Sequence, residues 1–433
     1  MKKFLTVTCT VVVCVLLCAL LLCGCDSIKN NRNLQSWRSV STLEDLYSMQ
    51  EGKCYKLAND IDLQGREWIP LFVKGFDGNG HTVSNATIIT TNTDKWNDYV
   101  GLIADCTWFD NVTIDNFQLI TNNRKNSNML YCGFAVGSAK WVSNVTVTNS
   151  NCLSTVGGYV GCVAGHAVNS LTDCKSSNNT YDGNGTFGGI VGDSNNIVIS
   201  NCSVTQVTAS AELIGGVIGY ISSNNENSID KCSVTDCQFT ASWIGGIVCI
   251  GNGSISKCNV ENNLLKASKT IGGIIGANNY PKGSLSNCLS KGNTMNCTSS
   301  SGGMVGGIAG RLTVSAQSCL AINNQLSCAN SNAVLAGFAV SFSSDNGAGY
   351  SFKLEGLVSF CGVYGDNMTG ATKMYQFSPV SQQNMDCFVS VEDIAGVAYL
   401  PEQEWTNPTK LRETFKLDTS VWKLVEGELP SFN

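Results

Sequence analysis

The feature that most limits what this chain can become is a five-residue element, Gly-Gly-apolar-apolar-Gly, that returns down its middle. It reads Gly188-Gly189-Ile190-Val191-Gly192, Gly215-Gly216-Val217-Ile218-Gly219, Gly245-Gly246-Ile247-Val248-Cys249, Gly272-Gly273-Ile274-Ile275-Gly276 and Gly306-Gly307-Ile308-Ala309-Gly310. Weaker copies start at Val100, Cys132, Gly161 and Ala336, so nine starts recur at spacings of 27 to 34 residues. A fixed period of this size marks a repeat architecture. A second element follows most copies after a polar turn: Ile199, Cys202 and Val204; Ile229, Cys232 and Val234; Ile255, Cys258 and Val260; Leu285 and Cys288. Looser copies fall at Leu171 with Cys174 and at Cys319, while Val112 and Val145 sit near this slot in the first two repeats. Each repeat thus offers two or three short strands between Asn, Ser and Gly corners, too short for a strand-helix-strand unit. One coil per repeat is the simple solution. Stacked coils lie ~4.8 Å apart, with each backbone donor paired to a neighbouring coil. Glycine weakens a strand unless backbone must approach backbone, so a Gly column marks a constricted side of the cross-section. The expected fold is all-β, a parallel β-solenoid of about nine or more coils.

Composition agrees where it bears on this. Gly numbers 44 against 6 Pro, and charged residues make up only 14%. That balance favours strands and tight turns over helices. The formal net charge of −6 forms no basic stripe, which excludes nucleic acid as a partner.

The N-terminus is a different polymer. Lys2 and Lys3 precede an apolar run from Phe4 to Leu22 and then Cys23-Gly24-Cys25. This is an export signal by charge and hydropathy. Its ending resembles the bacterial lipobox, which implies Cys25 as the lipid-bearing first residue of the mature chain; the competing reading is an uncleaved membrane helix. Either reading places the body outside the membrane. We expect a signal peptide at 1–24, a flexible tether at 25–40, an N-terminal entry cap at 41–99, the repeat solenoid at 100–365, and an irregular C-terminal segment with a closing motif at 366–433. The membrane, through the lipid, is the first expected partner.

Of 22 cysteines, five lie in the first 25 residues. Those at Cys174, Cys202, Cys232, Cys258, Cys288 and Cys319 supply one thiol per coil, which does not converge on a point as a zinc or iron–sulfur site requires. They read as an internal ladder of small apolar side chains. Disulfides between adjacent coils are geometrically open to them. No register is assigned to Cys237, Cys297 and Cys328.

Beyond the repeats, three further segments carry a resemblance. They are Leu57-Ala58-Asn59-Asp60-Ile61-Asp62-Leu63 with Trp68-Ile69-Pro70, then Phe76-Asp77-Gly78-Asn79-Gly80-His81-Thr82-Val83, and near the end Trp422-Lys423-Leu424 with Glu426-Gly427-Glu428-Leu429-Pro430. Together with the repeats, residues 41 to 433 resemble the GLUG-motif family of bacterial surface proteins. That resemblance implies a right-handed parallel β-helix at the cell surface, in keeping with the usual hand of parallel crossovers. It implies no particular activity. The chain departs from the pattern at Ala336-Gly337-Phe338-Ala339-Val340 and is irregular over 341–400. Some members are IgA-directed zinc peptidases, but the HExxH-like helix they need is missing from this sequence.

Candidate chemistry is sparse. With only His81 and His166, His-based triads and His-rich metal sites are nearly excluded, and no cofactor or metal is expected. His81 reads as part of a structural turn. Asp60 and Asp62 alternate with Ile61 and Leu63 as on a solvated strand face. Asp105 and Asp110 are expected in a turn beside Trp108, as a sugar-binding feature. Exposed aromatic rings stack on sugars or anchor protein partners, which nominates Trp96, Trp108 and Trp141 as ligand-stacking residues, with Tyr99 and Trp243 beside corners too. The functional expectation is a lipid-anchored, non-enzymatic adhesin or display scaffold contacting a host or cell-surface glycan or protein. The alternative is a carbohydrate-active enzyme or accessory module, which facing carboxylates on consecutive coils would favour.

Overall fold

The computed structural model describes residues 32–90, 98–121, 130–155, 157–222, 227–278, 282–300, 302–341, 343–345, 351–353, 355–371, 373–375, 377, 387–390 and 398–433. Within them the chain is all-β, with about nine parallel coils stacked as a β-solenoid. Each coil adds strands to two large parallel sheets that share one apolar core. In the first sheet Ile199, Ile229, Ile255, Leu285 and Ala316 lie in register, all buried. In the second, Val160, Phe187, Ile214, Ile244, Ile271, Val305 and Leu335 do the same. Period-two alternation sends these side chains inward and their neighbours to solvent.

The corners explain the Asn-rich composition. Asn144, Asp173, Asn201, Lys231, Lys257, Asn287 and Ser318 form one column with φ between 50° and 57°. Five residues later Asn149, Asn178, Gln206, Asp236, Asn262, Gly292 and Asn323 form another, again with positive φ. Left-handed backbone is disfavoured for L-residues, least so for Asn, Asp and Gly, so these types gather where the chain must bend.

The glycines have distinct tasks. A Cβ on Gly215 would strike the carbonyl of Ile218 in its own coil, and one on Gly216 would strike the carbonyl of Gly246 in the next. The first lets a coil fold tightly on itself; the second lets coils stack. The register also corrects two repeat starts. Cys132 pairs with Val160 and Gly133 with Gly161, and Val100 aligns with Cys132, so Gly101 and Gly133 are the true equivalents.

The expected boundaries shift. Trp37–Val40 is already a strand paired with Cys54–Leu57, so the expected tether of 25–40 gives way to the fold by Trp37. Cys54–Leu57 pairs with Gly75–Asp77, which pairs with Ile103–Asp115, so coils begin within the expected entry cap. At the far end Asn367–Thr369, Lys373–Tyr375 and Cys387–Val389 continue the parallel ladders beyond residue 365. A short helix, Leu43–Tyr47, starts at a Thr42/Asp45 capping box and buries Leu46 in the core. The C-terminal segment, with a helix at Pro408–Phe415 and a hairpin pairing Trp422–Lys423 with Ser431–Phe432, lies along the solenoid's flank. Its Trp405, Phe415 and Trp422 cover Leu289, Leu320 and Ile322, whose apolar side chains would otherwise face water.

Candidate functional site

The structure distributes the nominated residues unevenly. Cys25 and Trp96 lie outside the described residues. Trp108 is only 6% exposed, packed beside Gly75, and offers no open face for a ligand. This corrects the expectation of a stacking residue: the ring sits in the strand Ile103–Asp115 against Gly75, a position that Trp37 and Cys54 also crowd, and is buried there. Trp141 stands in register with Trp108 on the next coil and is half-buried. Asp105 and Asp110 are not in a turn; both belong to the strand Ile103–Asp115.

Asp110 and Asp77 do face each other on neighbouring coils, yet both are held by Arg32, at 2.9 and 3.1 Å. Burial pushes the Asp110 carboxyl up to about 6, against the Ser143 hydroxyl bond and the Arg32 charge that lower it. Arg32 also lies over the Trp37 ring at 5.2 Å. The group therefore fastens the N-terminal segment to the first coils. Asp60 and Asp62 likewise serve corners: Asp60 accepts from the Thr82 backbone N–H and meets His81 Nδ1 at 3.1 Å, while Asp62 accepts from Asn85. Those bonds hold both carboxyls below their ordinary value.

The six nominated cysteines are all buried with free thiols, and Cys361 and Cys387 extend their column. Each thiol from Cys202 to Cys361 donates to the carbonyl two residues before it, at 3.2–3.4 Å. Burial raises Cys202, Cys258 and Cys319 well above the ordinary thiol value, which keeps them protonated and poorly reactive.

The feature best suited to contact a ligand is a shallow groove of about 420 Å³ on the outer face of the second sheet. Asn151, Thr180, Thr208, Gln238 and Leu264 run in register along one side, and Asp182, Ser210, Thr240 and Lys266 along the other. Short hydroxyls and carboxamides thus recur once per coil, ~4.8 Å apart. Such a surface forms repeated hydrogen bonds, with Asp182 in register beside Ser210 and Lys266 beside Thr240. These residues are neither acids nor tryptophans for the most part, so single residue types do not mark them. The signal was present as Thr-x-Ser and Gln-x-Thr triplets at Thr208–Ser210 and Gln238–Thr240, each a few residues ahead of a glycine pair. Among the described residues no group of three or more His, Cys, Asp or Glu is arranged to hold a metal ion, and no helix is long and apolar enough to cross a membrane.

No family model matches the chain, and no curated protein matches it. Solved structures do. A Bacteroides ovatus protein provisionally described as an immunoglobulin A1 protease aligns at 13% identity and TM-score 0.33, covering 92% of each chain. A structure titled IgA1 protease aligns at 12% identity and TM-score 0.29, covering 90% of this chain and 25% of its own. The A-module of an Azotobacter vinelandii mannuronan C-5 epimerase aligns at 12% identity and TM-score 0.22, covering 85% of this chain and 90% of its own.

Proposed function

We propose that this chain is a lipid-anchored, extracytoplasmic surface protein of the GLUG-motif type that works by contact rather than catalysis, as an adhesin or display scaffold. The observation that carries the reading is the groove on the second sheet, where hydroxyl and carboxamide side chains repeat in register over successive coils. Weak contacts at fixed spacing on a rigid body add up to strong attachment. The apolar run ending at Cys25 supports the anchor. Asp77 and Asp110, which face each other on neighbouring coils, are both paired with Arg32.

The test is binding of the full chain to arrays of glycans and host surface proteins. Thr208→Lys and Thr240→Lys, which place bulk and charge in the groove, should each weaken the bound ligand at least about tenfold. Cys25→Ser should release the protein from the membrane. Release of reducing sugar from a polysaccharide panel by the purified protein would instead establish the carbohydrate-active alternative.

A further inference from the structure

Three successive coils carry the same tripeptide pattern, Tyr99-Val100-Gly101, Tyr131-Cys132-Gly133 and Tyr159-Val160-Gly161. The tyrosines lie in register, and their rings stack at centroid distances of 5.5 and 5.4 Å. On the strands that follow the glycine turns a second column runs Asp105, Ser138, His166, Asp193, Tyr220. The two columns meet. The ring of Tyr131 lies 5.2 Å from that of His166, and Tyr159 lies 6.2 Å from Tyr220. Glycine makes this approach attainable: a Cβ on Gly165 would strike the backbone of Tyr131 and Cys132, and one on Gly192 that of Tyr159 and Val160. Two strands that should be separated by side chains are thus brought into backbone contact, and their outward residues form one face.

The chemistry of that face is specific. His166 Nδ1 lies 3.0 Å from Asp193 Oδ2, and the Ser222 hydroxyl donates to the same oxygen at 3.4 Å. With Nδ1 on Asp193, Nε2 is the other polar atom of the His166 ring. Asp193 is 2% exposed, yet its Oδ1 receives no hydrogen bond from the described residues. A buried carboxylate oxygen without a donor is costly, and such a cost is commonly offset at a site built for a ligand. Around it Tyr99, Tyr131, Tyr159, Tyr220 and His166 are half-buried. Burial raises the phenols of all three stacked tyrosines, Tyr159 to about 12, with the Asp193 charge adding to the shift at Tyr131 and Tyr159. They therefore remain O–H donors across the range in which proteins work.

We propose that this Tyr–His–Asp face is a second binding site, separate from the groove, for an uncharged chain of pyranose sugars lying along the solenoid axis. The inference rests on the reading of the body as a contact surface and adds a site to it. Aromatic rings, phenol donors and carboxylate acceptors side by side match the apolar ring faces and paired hydroxyls of a sugar. A pyranose residue is about as long as the coil spacing of ~4.8 Å, so successive sugars would meet equivalent side chains of successive coils. Among the described residues, the charges acting on this face are Asp98, Asp105 and Asp193, with His166 and the flanking Lys140. Their acidic balance repels polyanionic glycans.

Titration calorimetry of the full chain in mild detergent with cellohexaose, mannohexaose and maltohexaose tests this, with oligogalacturonate and chitosan hexamer as charged comparisons. At least one neutral hexaose should bind, with Asp193→Asn and Tyr159→Phe each weakening it about tenfold or more and Thr208→Lys leaving it within about twofold. Tyr159→Phe removes a single oxygen, so a folding defect cannot stand in for the binding result; an unchanged thermal midpoint confirms it. Failure of all neutral hexaoses to bind, tighter binding of either charged hexamer, or insensitivity to both variants would overturn the proposal. Loss of binding on Thr208→Lys alone would also overturn it, while leaving the groove reading intact.

Discussion

Two inward corners of the same coil meet the same problem with different side chains. In both, a left-handed residue is followed by one that points into the core. At the first corner that residue is Cys174, Cys202, Cys232, Cys258, Cys288, Cys319 or Cys361; at the second it runs Ser150, Asn179, Val207 and Cys237 in the earlier coils and then becomes Asn263, Asn293, Asn324 and finally Asp366. The thiols form weak bonds, chiefly to carbonyls of their own coil. The amides span three coils. Asn293 Oδ1 accepts from the backbone and side-chain N–H groups of Asn263, while its own Nδ2 donates to the carbonyl of Val260 and to Asn324 Oδ1. A repeat thus tolerates either a packing filler or a hydrogen-bonded rung at its corners. The two should differ sharply in what their removal costs.

The scale for both corners is set by the glycine beside them. A Cβ on Gly246 would meet the carbonyl of Gly273 and both methyls of Val260, the strand residue between Cys258 and Asn263. A backbone carbonyl locked in the next coil cannot yield, so Gly246→Val should cost about 3 kcal/mol or more by urea unfolding. A loss under about 1 kcal/mol would show that the coils are not held at this spacing. Next comes Asn293→Ala, which strands the Asn263 backbone N–H inside the core and removes the side-chain bond to the Val260 carbonyl; about 2–3 kcal/mol is expected. If it costs no more than a cysteine truncation, the contrast between the corners collapses.

These columns also show where sequence reading reached and where it stopped. Cys202, Cys232 and Cys258 were visible because one uncommon residue type repeats at one offset, and the register followed from them. The amide rungs share residue type with dozens of surface asparagines. Asn262 and Asn263 are adjacent and identical in letter, yet one bends the chain at the surface and the other is buried. The same limit hid the candidate surfaces: Thr208 and Tyr159 matter through neighbours 27 to 30 residues away, which only the register identifies. Trp108 is the opposite case, since a conspicuous residue type suggests exposure that the packing around Gly75 removes.

The end of the amide column supplies a pH test. Asp366 accepts from the backbone and side-chain N–H groups of Asn324, and burial still pushes its carboxyl up to about 8. The folded state therefore holds a proton there that an unfolded chain, with the ordinary value of 3.8, releases. The stability this contributes is fully present below pH 3.8 and is lost as pH rises from there through about 8. Asp366→Asn keeps the acceptor and removes the titration. It should be more stable than the parent at pH 8.5 by about 1–3 kcal/mol, with the difference shrinking toward pH 5. Parallel thermal midpoints for the two proteins across that range would show that the rung does not titrate.

The smallest effect belongs to the thiols, and its smallness is the point. Cys258 donates to Ser256 O at 3.2 Å and lies 3.4 Å from the Cys232 backbone nitrogen, distances at which sulfur bonds are weak. Cys258→Ala removes one buried sulfur and those contacts while the left-handed Lys257 before it keeps the corner. The expected loss is about 1 kcal/mol, against the larger loss at Asn293 at the second corner of the next coil. Burial also keeps this thiol protonated, so alkylation of the folded chain should leave Cys258 unlabelled and alkylation after denaturation should label it. Mass spectrometry reads both states. An unalkylatable Cys258 in denatured, unreduced protein would reveal a bond to Cys232 or Cys288, and the first corner would then be a covalent staple rather than a filler.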